Sequence, residues 1–306
     1  MKHSFCGRIE HTVMINEFLQ YLQYEKNYSF HTVLSYNTDL LQFCQYLEIP
    51  SDAFDPALVD KQKIQSWVLC LMSEKLSARS LSRKISTLKT FWKFMIRRGH
   101  ASQNPTLKIL LPKTKKPIPS FFKESEMEAV LDDTFLTDDF ESVRNRLILS
   151  VFYMTGIRRA ELINIEDKDV DLLNGNLRVI GKRNKERIIP IGSVLCEEIQ
   201  HYLDIRSLEL GAFTEKFFIK ANGMKLYPKL IYKIVHDAMT EVSTLQKRSP
   251  HVLRHTFATT LLNGGADINV LKELLGHSSL AATQIYTHSS FEEIYNIYKQ
   301  AHPRAK

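Results

Sequence analysis

The sequence predicts a mainly α-helical chain of two domains, a helical bundle followed by a mainly helical domain with a small three-stranded antiparallel sheet. At 306 residues the chain exceeds the size at which one hydrophobic core usually stops growing. Apolar residues recur at the spacing of a helical face along most of it. A run rich in proline and lysine cannot continue a helix. We therefore expect domains over residues 1–104 and 121–306, joined by a linker over residues 105–120.

Four helices are expected in the N-terminal domain. The apolar pattern indicates helices over residues 12–25, from Ser29 to a stop at Pro50, over residues 63–74 and over residues 80–98. The fourth helix places Phe91 and Trp92 on its apolar face, where such residues are far more often core than ligand contacts. We therefore expect the basic face of this helix to carry the function of the domain.

The second domain opens with helices over residues 123–131 and 143–155, and Gly156 ends the second of them. Residues 170–173, 177–180 and 187–191 are rich in β-branched side chains and are separated by turn sequences, which predicts the antiparallel sheet. From about Val194 the pattern returns to helix, apart from an irregular segment near residues 217–229.

Charge is distributed unevenly along the chain. Residues 1–120 contain 17 Lys and Arg against 9 Asp and Glu, and residues 75–116 contain twelve basic residues and no acidic one. Because ordinary solvated faces mix both signs, this stretch favours contact with nucleic-acid phosphates. The linker either lets the two domains close around a duplex or is only a spacer. The residues expected to contact DNA here are Arg79, Arg83, Lys84, Lys89, Lys93, Lys113, Lys115 and Lys116.

The cysteines and the hydropathy pattern exclude several classes of protein. The four cysteines form no CxxC pair, which argues against a zinc ribbon or a disulfide framework and fits a reducing cytoplasm. No apolar run reaches the length of a signal peptide or a membrane span. We expect a cytoplasmic protein with no membrane partner.

Arg158 is the first candidate for binding a phosphate. Gly156 ends one helix and another begins directly after it, so Arg158 would project from a helix N-terminus, where backbone donors also favour an anion. Glu161, one turn later, is placed to orient an arginine. The same string is equally compatible with a surface arginine followed by a first-turn acid.

Lys182 lies at the tip of the predicted hairpin between the second and third strands. A lysine that is desolvated beside other cations shifts its pKa readily and can act as a proton donor. Arg183 and Lys185 are expected to contact DNA from the same turn. A basic turn that only touches phosphates is the alternative, and it fits Lys185 and Arg187 better than Lys182.

His251 and Arg254 follow a Ser-Pro pair that is typical of a helix start, and their spacing of three places them on one helical face. Both can therefore meet one phosphate. His255 is an alternative to His251, and the two histidines have the spacing of a metal pair. However, Val252 stands where the glutamate of such a motif is expected and no acidic residue is nearby, so we expect no metal.

His277 and Tyr286 complete the candidate site. His277 follows Gly276 at an expected helix end, where glycine capping alone would also explain the motif. Tyr286 lies on the next expected helix, and its phenolic oxygen can form a phosphotyrosyl ester. An isolated tyrosine there would more often be an ordinary half-buried residue. Its occurrence with the other five candidates favours a function.

Taken together, these residues resemble in order and spacing the signature of the tyrosine site-specific recombinases, the phage integrase family, and most closely the bacterial Xer type. Residues 155–162, 181–187, 251–258 and 274–279 look like its conserved boxes, and residues 28–36 and 76–86 look like its SAM-like core-binding domain. Two positions depart from the pattern. Arg183 stands where the family often has glycine, and Arg159 adds a second arginine beside Arg158.

The resemblance implies a DNA strand transferase that uses no metal, ATP or other cofactor. Arg158 and Arg254 would hold the non-bridging oxygens and His277 would donate a further hydrogen bond. Tyr286 would attack to form a 3′-phosphotyrosyl bond, and Lys182 would protonate the 5′ oxygen. His251 would position the site or assist proton transfer.

The resemblance also implies an assembly and a location. Four protomers, identical or shared with a second Xer-type recombinase, would exchange strands between two DNA duplexes at a specific site, associated with the bacterial nucleoid. A C-terminal helix over residues 291–300 would dock on a neighbour, although its apolar face has an equally good intramolecular interpretation. The alternatives are a non-catalytic DNA-binding protein of the same fold, a type IB topoisomerase and a metal-dependent nuclease.

Overall fold

The computed structural model describes residues 7–112, 120–132, 139–181, 184–211, 216–276 and 288–305, with the backbone alone for residues 7–13 and 288–293. The chain divides into two compact units, Met1–Pro117 and Ile118–Lys306. Helices predominate in both, and the strands described form one small sheet. The predicted fold class is confirmed. No helix in the described ranges is long and apolar enough to cross a membrane.

The first unit is a helical bundle. Its elements are α1 (Gly7–Gln20), a π-helical turn (Tyr21–Glu25), α2 (Phe30–Tyr46), a 3-10 turn (Pro56–Leu58), α3 (Lys61–Ser73) and α4 (Ala78–Arg97). The sequence predicts four helices here, and each is present with shifted ends. Ser29 begins α2 by accepting a hydrogen bond from the backbone N–H of Thr32 at 3.3 Å, which satisfies one of the free donors of the first turn.

Aromatic side chains fill the core of this bundle. Phe91 and Trp92 on α4 are completely buried, as predicted, and their rings meet edge to face with centroids 5.3 Å apart. The indole N–H of Trp92 donates to the carbonyl of Pro56 at 3.3 Å, so its polar atom is satisfied inside the core.

The second unit is mainly helical around one antiparallel sheet. Its elements are α5 (Glu124–Leu131), α6 (Phe140–Thr155), α7 (Arg159–Asn164), β1 (Val170–Asp171), β2 (Asn176–Ile180), β3 (Glu186–Pro190), α8 (Ser193–Leu210), α9 (Pro228–Val242), α10 (Pro250–Asn263), α11 (Ile268–Leu275) and α12 (His288–Ala301). The strand order is β1-β2-β3, with Val170 opposite Leu177 and Leu177 opposite Ile189. The three predicted strands are therefore present.

Gly156 determines how α6 meets α10. It ends α6 with φ +59°, in the left-handed region that favours glycine. A Cβ added here would lie 2.3 Å from a ring carbon of Phe257 on α10. Only glycine lets the two helices approach this closely. The approach brings the start of α7, where Arg158 lies, near the second turn of α10, where Arg254 donates to the carbonyl of Gly156.

The end of the chain packs against its own unit. Ile294, Tyr298 and Ala301 of α12 are buried in the core of the second unit. A Cβ added to Gly264, at the end of α10, would lie 2.3 Å from the carbonyl oxygen of Ala301. The described part of α12 thus adopts the intramolecular arrangement, and docking on a neighbour stays a prediction.

Candidate active site

The structure describes three of the six candidate catalytic residues, Arg158, His251 and Arg254, and the predicted orienting residue Glu161. The other three, Lys182, His277 and Tyr286, lie outside the described residues, as do the predicted DNA contacts Arg183, Lys113, Lys115 and Lys116. The described side chains therefore form the arginine side of the candidate site.

Arg158 stands at the N-cap of α7 and is held by the acid one turn later. Its Nη1 donates to Oε1 of Glu161 at 2.7 Å, and its backbone N–H donates to Oε2 at 2.7 Å. Its side chain is 28% exposed, whereas that of Glu161 is 3% exposed. The guanidinium is thus held by Glu161 but stays partly exposed, as the binding of an external anion requires.

The neighbouring Arg159 points elsewhere. Its Nη1 donates to the carbonyl of Pro228 at 3.3 Å, at the start of α9. Of the two adjacent arginines, Arg158 is therefore the one that contacts Glu161 and the end of α11.

A third arginine, Arg187 on β3, completes the arrangement, which we call the arginine cluster: Arg158, Arg187 and Arg254 around Glu161. Arg187 donates from Nη1 and Nη2 to the two carboxylate oxygens of Glu161 at 2.9 and 2.8 Å. Its side chain is 3% exposed. The interpretation of Arg187 as part of a basic turn that touches phosphates was wrong, because the guanidinium is buried and each of its three nitrogen atoms donates a hydrogen bond within the protein.

The C-terminal end of α11 holds all three arginines. Arg187 Nε donates to the carbonyl of Leu274 at 2.8 Å, Arg254 Nη2 to that of Leu275 at 2.6 Å, and Arg158 Nη2 to that of Gly276 at 3.3 Å. The last carbonyls of a helix have no partner within the helix and form the negative end of its dipole. Three consecutive carbonyls thus gather three cations immediately before His277.

The arginine cluster holds three positive charges against one negative charge, and the pKa of Arg254 reflects that excess. Burial, and then the charge of Arg158, which Glu161 offsets only in part, lower the pKa of Arg254 to about 10. Burial alone would raise the pKa of Glu161, but the hydrogen bonds and charge of Arg187, with those of Arg158, lower it to about 2. The cluster therefore remains net positive at neutral pH and favours an anion.

His251 lies on the exposed side of the first turn of α10. Burial, and then the charges of Arg159 and Lys247, lower the pKa of its imidazole below 6.5, so it is mainly neutral at pH 7. A neutral imidazole can either accept or donate a hydrogen bond. In the described part of the chain, no group of three or more His, Cys, Asp and Glu side chains could hold a metal ion.

Two family models match the chain. The model of the phage integrase family matches residues 120–293, and that of the phage integrase N-terminal SAM-like domain matches residues 15–99. A protein of Chlorobaculum tepidum named tyrosine recombinase XerC is 35% identical over 317 residues, which cover 95% of this chain and 94% of that protein. A protein of the same name from Staphylococcus haemolyticus is 38% identical over 291 residues, covering 94% and 96%. The chain is a tyrosine recombinase of the phage integrase family.

Solved recombinase structures share the fold. The XerH site-specific recombinase bound to difH substrate, in a pre-cleavage complex, matches with a TM-score of 0.70 at 20% identity, covering 97% of this chain and 98% of that one. Lambda integrase residues 75–356, a dimer bound to a COC′ core site, matches with a TM-score of 0.64 at 18% identity, covering 90% and 98%. At these identities the likeness concerns the fold alone.

The tyrosine recombinase has a basic face on α4, formed by its exposed or half-buried cations. These are Arg79, Arg83, Lys89, Lys93 and Arg97. Lys84 does not belong to it, and the prediction that Lys84 contacts DNA was wrong. Its side chain is 6% exposed, and its Nζ donates to the buried Asp39 at 2.9 Å and also to Gln42.

Asp39 links this face to the core of the bundle. It is completely buried on α2 and also accepts hydrogen bonds from Arg83 and from the hydroxyl of Thr87, the latter at 2.9 Å. Arg83 remains 45% exposed. One carboxylate thus neutralises the buried lysine and fixes the direction of an exposed arginine.

Sequence reasoning missed the contribution of α2 to the same surface. Arg83 Nη1 also approaches the carbonyl of Ser35 at 3.5 Å, so the polar side of α2 lies beside the basic face. Its exposed or half-buried polar residues are His31, Ser35, Thr38 and Gln42. Their spacing of three and four residues, opposite the buried Leu40 and Phe43, was the available signal.

Proposed function

We propose that this tyrosine recombinase cleaves and rejoins DNA at a specific site through a 3′-phosphotyrosyl intermediate formed by Tyr286. The observation that supports this most directly is the arginine cluster at the end of α11. It presents two partly open guanidinium groups, Arg158 and Arg254, in the same unit as the segments that lead to His277 and Tyr286. Such a site suits a phosphodiester whose charge grows during attack.

Arg158 and Arg254 would bind the non-bridging oxygens of the scissile phosphate. The hydrogen bonds recorded within the described residues use two of the five N–H groups of Arg158 and two of those of Arg254. The remaining donors would bind phosphate oxygens in the fork geometry that arginine offers. Fixed positive charge of this kind supplies the stabilisation that metal ions supply in many nucleases.

The remaining candidates would handle attack and proton transfer. Tyr286 would attack the phosphorus and join its phenolic oxygen to the 3′ phosphate, as the bond to the 5′ oxygen breaks. Lys182 would give a proton to that departing 5′ oxygen. His277 would donate a hydrogen bond to a non-bridging oxygen, and the neutral His251 would position the phosphate or accept the tyrosyl proton. The ester keeps the bond energy, so rejoining needs no ATP.

Double-stranded DNA would be the partner of both units. The basic face on α4, with the polar side of α2, would contact its phosphates, and Lys113, Lys115, Lys116, Arg183 and Lys185 would add contacts from the linker and the hairpin. Lys185 is exposed, as such a contact requires. The XerH and lambda integrase structures, which are bound to DNA, support this choice of partner.

A tetramer would carry out strand exchange between two duplexes. It would contain four copies of this chain, or copies of it with a second Xer-type recombinase, on the nucleoid in the bacterial cytoplasm. The apolar face of α12, which buries Ile294 and Tyr298 within its own unit, would cover the equivalent surface of a neighbour in that assembly.

Trapping of the covalent intermediate tests the proposal. The bound site is first identified by protection of genomic DNA, and a substrate with a nick near the crossover point is then made from it. We expect a denaturation-resistant adduct that withstands EDTA and that is absent from Tyr286→Phe. The matched control Tyr295→Phe, on α12, should retain it. An adduct formed by Tyr286→Phe would refute the assignment of the nucleophile.

Two further outcomes separate the alternatives. Loss of cleavage in EDTA would indicate a metal-dependent nuclease. Efficient relaxation of a supercoiled plasmid that lacks the site would indicate a topoisomerase, because relaxation of that kind needs no synapsis. Specific binding without any adduct would indicate a non-catalytic DNA-binding protein.

A further inference from the structure

All three nitrogen atoms of the Arg187 guanidinium group donate hydrogen bonds within the protein. Its Nε donates to the carbonyl of Leu274, and its two Nη atoms donate to the carboxylate of Glu161, all at 2.8 to 2.9 Å. Its side chain is 3% exposed. It therefore cannot reach the phosphate of a DNA duplex, and any contribution to cleavage must pass through the groups that it contacts.

Glu161 is shared between two arginines that differ in exposure. Oε1 accepts hydrogen bonds from Nη1 of Arg187 and from Nη1 of Arg158. Oε2 accepts hydrogen bonds from Nη2 of Arg187 and from the backbone N–H of Arg158. Four hydrogen bonds saturate the carboxylate. Without Arg187, Glu161 would keep Arg158 as its guanidinium partner in the cluster and would draw that side chain away from an external phosphate.

Arg187 also joins the segments that precede two other proposed catalytic residues. It lies on the second strand of the hairpin that carries Lys182. Gly181, directly before Lys182, lies so close to the ion pair that an added Cβ would be 3.3 Å from the carboxylate. The bond from Arg187 to Leu274 holds the end of α11, directly ahead of the segment that contains His277.

We propose that Arg187 is a positioning residue for strand cleavage. It neutralises Glu161 so that Arg158 can face the scissile phosphate, and it holds the hairpin and the end of α11 in register with each other. The inference rests on the proposed cleavage of DNA and names a residue that acts through others. Because catalysis is sensitive to displacements of about 1 Å, we expect Arg187→Gln to slow cleavage on the order of 100-fold.

The test compares single-turnover adduct formation on the nicked substrate by the full chain and its variants. Arg187→Gln should lose cleavage and keep its affinity for DNA, since the side chain is buried and cannot contact DNA. Arg187→Lys should show an intermediate loss, because an ammonium keeps the charge but not the fork of donors. Loss of DNA affinity with an unchanged cleavage rate would overturn the inference.

The matched control is Arg206→Gln. Arg206 is another buried arginine of the same unit, and it pairs with Asp167 at 2.7 Å and with the carbonyl of Phe217 at 2.9 Å, outside the arginine cluster. We expect it to lower the melting temperature comparably and to leave cleavage close to that of the unchanged chain, measured where circular dichroism shows all variants folded. Equal loss of cleavage in both variants would reduce Arg187 to a structural role and overturn the inference.

A neutral substrate supplies a readout that a folding defect would not change. A methylphosphonate at the scissile position lacks one negative non-bridging oxygen. Cleavage of this substrate therefore depends less on charge neutralisation by arginines. If Arg187 acts through Arg158, the defect of Arg187→Gln should shrink on this substrate. An equal defect on both substrates would contradict action through the phosphate-binding arginines.

A stability cycle separates failure of this inference from failure of the proposed function. If the unchanged chain forms no adduct, the proposed function fails. The neutralisation of Glu161 by Arg187 is still decided by the melting temperatures of Glu161→Gln, Arg187→Gln and the double variant. We expect the double variant to lose less than the sum of the single losses. Additive losses would overturn the neutralisation itself.

Discussion

Replacement of Glu161 by glutamine should destabilise the second unit strongly, and the size of the effect follows from the pKa of the carboxylate. Its pKa is about 2 in the folded chain, against an ordinary value of 4.5. Its side chain is 3% exposed, so solvent screens the interaction little. At about 1.4 kcal/mol for each pKa unit, the ionised carboxylate contributes about 3 kcal/mol to the free energy of unfolding.

The pH dependence has a definite sign. Because folding lowers the pKa of Glu161, its contribution is fully present above pH 4.5 and is lost as the pH falls from there towards 2. Glu161→Gln lacks the titrating group, so its stability should differ most from that of the unchanged chain at neutral pH. The two should converge in acid.

Differential scanning calorimetry of the full chain measures both effects on the transition of the second unit. A loss of about 3 kcal/mol corresponds to a fall in Tm of roughly 6 to 12 °C for a unit of this size. The control is Glu166→Gln, which removes a partly exposed carboxylate paired with Lys168 and Lys216 and should lower Tm much less. A loss below about 1 kcal/mol at pH 7, or a difference that persists unchanged near pH 2, would refute the reasoning.

Three further perturbations test other parts of the structure. Asp39→Ala leaves the buried Lys84 without its carboxylate, so the free energy of unfolding of the first unit should fall by about 3 to 5 kcal/mol in denaturant. An unchanged denaturation midpoint would count against the buried pair. Gly156→Ala places a methyl group against α10 at a positive φ, and the same measurement should show the free energy of unfolding lowered by on the order of 2 kcal/mol or more. An unchanged free energy of unfolding would show that the two helices can separate freely. In an NMR titration the imidazole of His251 should take up its proton below pH 6.5, and that of the buried His302 near pH 4. A titration of His251 above pH 6.5 would contradict the conclusion that burial lowers its pKa.

The helices and strands were predictable because their signals are local. Apolar spacing locates α2, α4 and α6, and Gly156 marks the end of α6 from its own position in the sequence. The side-chain pairs were not predictable in the same way. Lys84 looks like a surface cation by spacing, and its partner Asp39 lies 45 residues away on another helix.

The burial of Arg187 could be predicted from the sequence, but the partner that its guanidinium binds could not. Strand alternation places it on the same side of β3 as the fully buried Ile189, so its burial could have been read from the pattern. Its partner Glu161 could not, because the contact forms only when the sheet packs beside α7. The comparisons confirm the family that the motifs suggested, whereas the roles of the individual residues stay predictions.

The three arginines attach to backbone carbonyls of α11, not to its side chains, and this makes the site sensitive to the length of that helix. Substitutions on the exposed side of α11 leave Leu274, Leu275 and Gly276 where they are. Deletion of one residue within α11 would rotate its end by about 100° and shift it by about 1.5 Å, so that all three guanidinium groups would lose their acceptors together. Insertions and deletions in α11 should therefore be tolerated far less well than substitutions.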